Sequence, residues 1–253
     1  MHKWVYVFLS HAFMALSALT SLALLPALVV SHKFQEAFFA TVYTLGERAW
    51  GRSLKPVRQI LLSRIDALVS HNSALRSRGA VRVLEVGAAY GPNLEFVKRP
   101  VEYWKVEPNT KFDAAFKKNL AGNPKVKLER SICGYGEDMS MLPDGHFDVV
   151  LLTYVLCSAN NSQKLVQECK RVLAKGGLLL FSDHVAHPKG SVAWCIEEFA
   201  TPFARIPTCG CHINRESADV FNAAGFTDID MHQAVLLDMP FPYNRHIFGA
   251  AMA

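Results

Sequence analysis

The chain has 253 residues, enough for one α/β domain of ordinary size plus an appendage. Its 27 Lys and Arg exceed its 22 Asp and Glu, a formal charge of +5, but the basic residues are dispersed and no aromatics alternate with them, which excludes a nucleic-acid partner. Six irregularly spaced cysteines exclude a disulfide framework and agree with a reducing compartment.

Hydrophobic residues make up 51% of the chain, and the excess sits at one end. Trp4 to Val30 contains no Asp, Glu, Lys or Arg. A bilayer span needs about 20 such residues, so residues 1–32 read as a retained membrane anchor. A cleaved signal peptide would share the basic start at His2 and Lys3, but its apolar core usually runs only about 7–15 residues. A buried core helix is the non-membrane alternative. The anchor reads as a single span or as a hairpin or in-plane segment, the latter supported by Pro26, the hydroxyls of Ser17, Thr20 and Ser21, and a further apolar stretch at 34–43. Lys33, Arg48, Arg52, Lys55, Arg58 and Arg64 follow, against Glu36, Glu47 and Asp66. That balance keeps the following chain in the cytosol and draws it to anionic headgroups. Residues 33–78 read as a helical linker beside the membrane, with Lys55-Pro56 breaking or starting a helix and Arg76 to Gly79 closing it.

Residues 79–253 alternate between strand and helix patterns. Strands are expected at 81–86, 102–106, 126–130, 147–152 and 177–184, with helices from Pro92, at 110–121 and at 161–173. Such alternation argues for an α/β fold, a mainly parallel, doubly wound sheet with helices on both faces. Asn214 is the expected cap of a helix over 215–224 with Gly225 as its stop, and strands near 227–232 and 245–250 close the sheet as a hairpin.

Val81 to Gly91, V-R-V-L-E-V-G-A-A-Y-G, is the most informative stretch. A strand feeds a glycine turn, and Glu107 then closes the next strand. This is how a doubly wound sheet holds a nucleoside-containing cofactor: glycines admit the ligand to the backbone, and the acid accepts hydrogen bonds from ribose hydroxyls. The turn lacks G-x-G-x-x-G, since Gly91 follows Gly87 by four and position 94 is Leu, which disfavours a nicotinamide reductase. Cys209-x-Cys211-His212 lacks a second zinc-ligand pair, so no metal is expected.

E-V-G-A-A-Y-G, K-V-E-P-N, G-E-D-M, F-D-V-V and R-V-L-A-K-G-G occur in the order seen in class I S-adenosylmethionine-dependent methyltransferases, and residues 80–250 resemble that Rossmann-like superfamily. Leu156-Cys157-Ser158, Asp183-His184-Val185, Gly210 to Ser217 and Arg245 to Gly249 resemble the methyltransferase-like 7 family, membrane-anchored thiol methyltransferases. The chain departs from the family at Ala89, which replaces the middle glycine of the turn, and at Glu107 and Asp183, where Asp and Glu are commoner. The resemblance implies S-adenosyl-L-methionine as cofactor, a small lipophilic thiol as acceptor, and residence on the endoplasmic reticulum or lipid droplets. Glu85, Gly87, Ala89 and Gly91 would frame the amino-acid part of the cofactor, Glu107 its ribose with help from Asn109, and Gly136 and Glu137 its adenine. Thr153 to Leu156, including Tyr154, would lie beneath the sulfonium. His184, oriented by Asp183, is the expected base or thiolate stabiliser. His212 and Arg215 are further candidates, and Cys157 is expected as pocket wall. A lipid, quinone or phenol acceptor, and a catalytically weak membrane-coating protein, are the alternatives.

Overall fold

The computed structural model describes residues 3–253. The basic start expected at His2 and Lys3 falls outside the described side chains. Helix α1 (Lys3–Ala23) contains a 20-residue apolar stretch, Trp4–Ala23, of mean hydropathy 1.6, long enough to cross a bilayer. Helix α2 (Leu25–Val30) carries Pro26 in its first turn, where a missing N–H breaks no helical bond. Ser31 is extended, and its hydroxyl accepts from Phe34 N–H at 3.3 Å to cap α3 (His32–Ser63). The chain thereby doubles back. Phe13 packs edge-on to Trp50 with centroids 5.3 Å apart, and Ser53 Oγ donates to Tyr6 Oη at 3.4 Å. The outward face of α1 remains apolar, with Trp4 72% and Phe8 70% exposed.

Two expectations need correction here. Pro56 lies inside α3 and neither breaks nor starts a helix. Val57, Leu61 and Leu62, which follow Pro56 in the same helix, are buried against the sheet, and this packing outweighs one lost backbone bond. Nor do all the basic residues after the apolar segment face headgroups. Arg58 is buried and paired through both terminal nitrogens with Glu47, at 2.5 and 3.3 Å. Arg64 pairs with Asp230, and Lys55 with Glu95 at 3.4 Å. A short 3-10 turn (Arg64–Ala67) and helix α4 (Ser73–Ser77), capped by Asn72, lead into the sheet. Asp148 anchors this approach: it accepts from Ser70 Oγ, His71 N–H and Arg82 N–H at 2.7–2.9 Å.

The sheet comprises β1 (Val81–Val86), β2 (Val101–Val106), β3 (Val126–Ile132), β4 (Phe147–Thr153), β5 (Leu173–His184), β6 (Asp228–Val235) and β7 (Arg245–Met252). Its order is β3-β2-β1-β4-β5-β7-β6, with β7 antiparallel to both neighbours and the rest parallel. Helices α5 (Asp113–Ala121) and α6 (Ser162–Val172) follow β2 and β4, and α7 (Val192–Ala204) and α8 (Asp219–Ala223) follow β5. Alternate residues of β1 feed two cores: Val81 and Val83 pack with α3 and Phe116, Leu84 and Val86 with α6. The strand order reverses between β1 and β4, and the mouth of that switch point is where an open α/β sheet binds ligands.

The segment after Pro92 is not an α-helix but a 3-10 turn, Leu94–Phe96. Asn93 is drawn into the core by Glu85 and Thr153, and β2 begins at Val101, which leaves little chain for a helix. Asn214 caps no helix. Its amide donates to Glu198 Oε1 at 2.7 Å, Arg215 is pulled onto the carbonyls of Leu156 and Ala159, and α8 starts only at Asp219. Gly225 does follow the helix in the left-handed region, at φ 71°. Helix α7, capped by Ser191 and not anticipated from sequence, leaves Val192 and Phe199 facing outward.

Candidate active site

The turn after β1 runs over the switch point with Gly87 at φ 71°, Ala89 at φ 44° and Gly91 at φ 77°. A side chain at Gly87 would strike Val155, so glycine is required there on both counts. Ala89 holds a left-handed conformation that its methyl group disfavours. That methyl sits in a cluster with Ala40, Tyr90 and Phe112, with Phe39 and Tyr43 of α3 beside it. The turn meets the overlying helix through this methyl and through Tyr90, whose ring lies 5.7 Å from that of Tyr43.

Glu107, at the tip of β2, is largely buried and accepts from Ala89 N–H and Asn109 N–H, both at 2.9 Å. Burial raises its pKa, and those two N–H donors oppose the rise. Asn109 caps the next turn through Lys111 N–H at 3.0 Å and donates to the Glu36 carbonyl at 2.9 Å, tying α3 across the site. A cavity of about 450 Å³ opens here, lined by Glu36, Asn109, Tyr135, Arg205 and Cys209. Gly136 has no room for a side chain, against Val86 and Leu165, and Glu137 accepts from Asn160 N–H at 2.8 Å. Glu85 lies behind the turn with no exposure. It accepts from Asn93 Nδ2 at 2.7 Å and from the Tyr103 hydroxyl. Burial drives its pKa up to about 7 despite both donors and the charge of Arg58. Asn93 Oδ1 and Asp183 Oδ1 are buried acceptors with no donor among the described residues. Unmet acceptors in the loop after β1 and at the tip of β5, with a carboxylate at the tip of β2, fit a cofactor that brings an ammonium group and ribose hydroxyls.

A second cavity, of about 390 Å³, lies beyond the tips of β4 and β5. Met14, Leu22, Phe38 and Trp50 from the N-terminal helices form its apolar walls. Tyr154, Cys157, His184, Cys211 and His246 gather at its protein side. Tyr154, at φ 58°, is held in an unfavourable backbone conformation, as residues at functional sites often are. His246 Nε2 donates to the Tyr243 carbonyl at 2.7 Å, which leaves Nδ1 to accept from the Tyr154 hydroxyl at 3.3 Å. Burial and the nearby His184 lower the His246 pKa to about 4, so its ring is neutral.

His184 ends β5 with Nε2 3.2 Å from Cys211 Sγ. Burial opposes charge on the imidazole, but the Cys211 sulfur outweighs it and raises the His184 pKa to about 9. Cys211 is pulled well below the usual thiol range by a hydrogen bond from Cys157 and by His184. Asp183 does not orient His184 by a hydrogen bond. Its Oδ2 accepts from Cys157 N–H at 2.9 Å, and His184 Nδ1 has no partner among the described residues. His212 N–H donates to the Cys157 carbonyl at 2.8 Å, and Arg215 grips the carbonyls of Leu156 and Ala159 at 2.5 and 2.6 Å. Both therefore shape the loop that presents Cys157. Sequence reasoning missed Cys211 as a partner of His184, Arg58 as a buried cation, and the N-terminal helices as cavity wall.

Residues 84–181 match a family described as a methyltransferase domain. The fold matches a methyltransferase of Thermotoga maritima at TM-score 0.55 and 16% identity, over 85% of this chain and 98% of that one. It equally matches the [4+2]-cyclase SpnF, at TM-score 0.54 and 17% identity over 77% and 78% of the two chains, so fold alone does not specify the reaction. The sequence is 36% identical to thiol S-methyltransferase TMT1B of Rattus norvegicus over 172 residues, 68% of this chain and 70% of that one. It is 33% identical to TMT1B of Homo sapiens over 201 residues, 79% and 80% of the two. Identity of this extent, over more than two thirds of both chains, together with the matched methyltransferase domain, places the chain in the methyltransferase-like 7 family of S-adenosylmethionine-dependent methyltransferases.

Proposed function

We propose that this chain is a membrane-anchored enzyme that methylates small lipophilic thiols. The observation that carries this reading is the second cavity, apolar along its helical walls and bearing Cys157, His184 and Cys211 on its protein side. Apolar walls select a lipophilic acceptor. A sulfur and imidazole corner favours an acceptor that ionises near neutrality, as a thiol does and an alcohol does not. The curated relatives, named as thiol S-methyltransferases, support the same acceptor class.

When bound, S-adenosylmethionine supplies an electrophilic methyl group on a sulfonium. Glu107, with Asn109, holds the ribose diol, and Glu85, Gly87, Ala89 and Gly91 shape the turn around the amino-acid part. Gly136 and Glu137 border the adenine, and Tyr154 lies below the reacting centre. Methyl transfer requires no covalent nucleophile on the protein. The chain needs to hold the acceptor sulfur in line in a dry pocket. His184 and Cys211 meet the acceptor S–H and favour its ionised form, while Asp183 and Arg215 fix the Cys157 loop beside them. The exposed apolar face of α1 and the exposed Lys33, Arg48 and Arg52 support attachment to the endoplasmic reticulum or a lipid droplet, with the site facing the cytosol.

The test is transfer from labelled cofactor to a panel of thiols and a panel of phenols, quinones and lipids, using the purified full chain. Thiols should be methylated, and His184→Ala should slow them by about 10²–10⁴-fold, least for thiols already ionised at neutral pH. Methylation confined to hydroxyl acceptors would discard the thiol reading. Cofactor binding with no transfer to either panel would mark a non-catalytic membrane protein.

A further inference from the structure

Cys157, His184 and Cys211 come from three separate segments: the loop after β4, the end of β5, and the loop after α7. One side-chain donor atom from each lies within 4.8 Å of the other two, and His184 Nε2 is 3.2 Å from Cys211 Sγ. All three residues are buried, and all three line the apolar cavity. The protein does not saturate this corner, since His184 Nδ1 and Asp183 Oδ1 are buried with no partner among the described residues.

We propose that Cys157, His184 and Cys211 form a three-ligand site for zinc, with its fourth position open to the cavity for the acceptor sulfur. Zinc bonds of about 2.3 Å to sulfur and about 2.0–2.1 Å to nitrogen place tetrahedral ligand atoms roughly 3.5–3.8 Å apart. The observed spacing, at or below 4.8 Å, needs only small side-chain adjustments to reach that. Two thiolates and a neutral imidazole balance the charge of the ion, an important match in an apolar cavity. Three protein ligands and one open position are the arrangement of zinc sites that work on a substrate, whereas structural sites are closed by four. The loop contacts already described, Arg215 on the Leu156 and Ala159 carbonyls and Asp183 on Cys157 N–H, supply the support that ligands need to hold their place.

This inference rests on thiol methylation and gives it a chemical route. The acceptor sulfur bonds to the ion as its S–H bond breaks, and the proton passes to water. The sulfur lone pair then forms the new S–CH₃ bond. The methyl–sulfonium bond of the cofactor breaks with its electron pair staying on the cofactor sulfur, which leaves S-adenosylhomocysteine. The product is a neutral thioether, a poorer ligand than a thiolate, and it departs.

The test uses the full chain purified in detergent, loaded with zinc, dialysed, and measured by elemental analysis. One zinc per chain is expected in the wild type and in Cys195→Ser, whose thiol is exposed and not part of the three-residue cluster. Cys157→Ser and Cys211→Ser should lose the ion while keeping S-adenosylmethionine affinity by calorimetry, which shows that they fold. Cobalt in place of zinc should give four-coordinate visible bands that shift on adding a thiol acceptor and not on adding the matching alcohol. Equal zinc in the wild type and in both ligand variants would overturn the site, as would a Cys157–Cys211 disulfide in the active protein. Undiminished thiol methylation by demonstrably metal-free protein would also overturn it, while leaving the thiol reading intact.

Discussion

Glu85 offers a measurement that isolates one buried group. Its carboxyl has no exposure, and its pKa is raised from 4.5 to about 7 by burial, against hydrogen bonds from Tyr103 and Asn93 and the charge of Arg58. The folded chain therefore holds this proton more tightly than the unfolded chain does. For an acid raised on folding, the stabilisation is complete below the unfolded value of 4.5 and is lost as pH climbs through about 7. At about 1.4 kcal/mol per pH unit, a shift from 4.5 to about 7 corresponds to about 3 kcal/mol. Glu85→Gln cannot titrate. It keeps an acceptor for Asn93, and its amide can donate to the Tyr103 hydroxyl, which accepts as readily as it donates. Denaturant unfolding in detergent should be followed from about pH 5 to about pH 8 for both proteins. Wild type should lose stability relative to Glu85→Gln across that range, with the variant ahead by up to about 3 kcal/mol at the alkaline end. Comparing the two cancels other titrating groups, including Asp183, whose pKa burial raises to about 6. Parallel profiles would show that Glu85 is ionised at neutral pH in the folded protein, and the account of its burial would fail.

Three further outcomes are expected. Glu107→Ala should lower S-adenosylmethionine affinity by roughly ten- to a hundredfold, since charge-assisted hydrogen bonds are worth about 1.5–3 kcal/mol, and unchanged calorimetric affinity would remove it from the cofactor site. Ala89→Gly relieves a left-handed residue by about 1–2 kcal/mol but loses a buried methyl worth about 0.8 kcal/mol and frees the unfolded chain, so stability should change by less than about 1 kcal/mol. Its cofactor affinity should be equal or better, and a large loss would reveal an unforeseen contact of the methyl. The N-terminal segment should survive in the mature protein and resist carbonate extraction; an intact mass starting near residues 20–30 would show cleavage.

The sheet was legible because its central strands carry apolar stretches, Val83-Leu84, Val149 to Leu152 and Leu178 to Phe181, set between helix patterns along the chain. The glycine turn after β1 was legible because one short segment carries both its glycines and its backbone path. What failed was local structure decided by distant partners. Asn93 abandons a helix after Pro92 because Glu85 and Thr153 bind its amide. Asn214 abandons its cap for Glu198, and Arg215 is taken by carbonyls more than fifty residues away in sequence. Arg58 carries the same charge as its neighbours Arg52 and Lys55, yet it faces the core, because Glu47 lies on the buried side of the same helix. The Cys157, His184 and Cys211 corner is the extreme case: its members stand 27 residues apart in each interval, a spacing no local motif encodes.

The N-terminal helix shows that hydropathy counts apolar surface without saying what covers it. Trp4, Phe8 and Leu19 face outward, yet Met14, Ser17, Ala18, Ser21, Leu22 and Leu25 line the second, apolar cavity. Those six fall at helical spacing along one stripe of α1 and on into α2, and three of them are small. Ser17 and Ser21 are therefore explained by the room they leave in the cavity as much as by the path of a hairpin. The Ser21 hydroxyl stays satisfied within the helix by donating to the Ser17 carbonyl at 2.7 Å. A segment that only anchored would place its bulk uniformly around the helix. A segment that also encloses a ligand must thin one face, and that asymmetry, rather than length or mean hydropathy, is the signal that ties this apolar run to the proposed acceptor site.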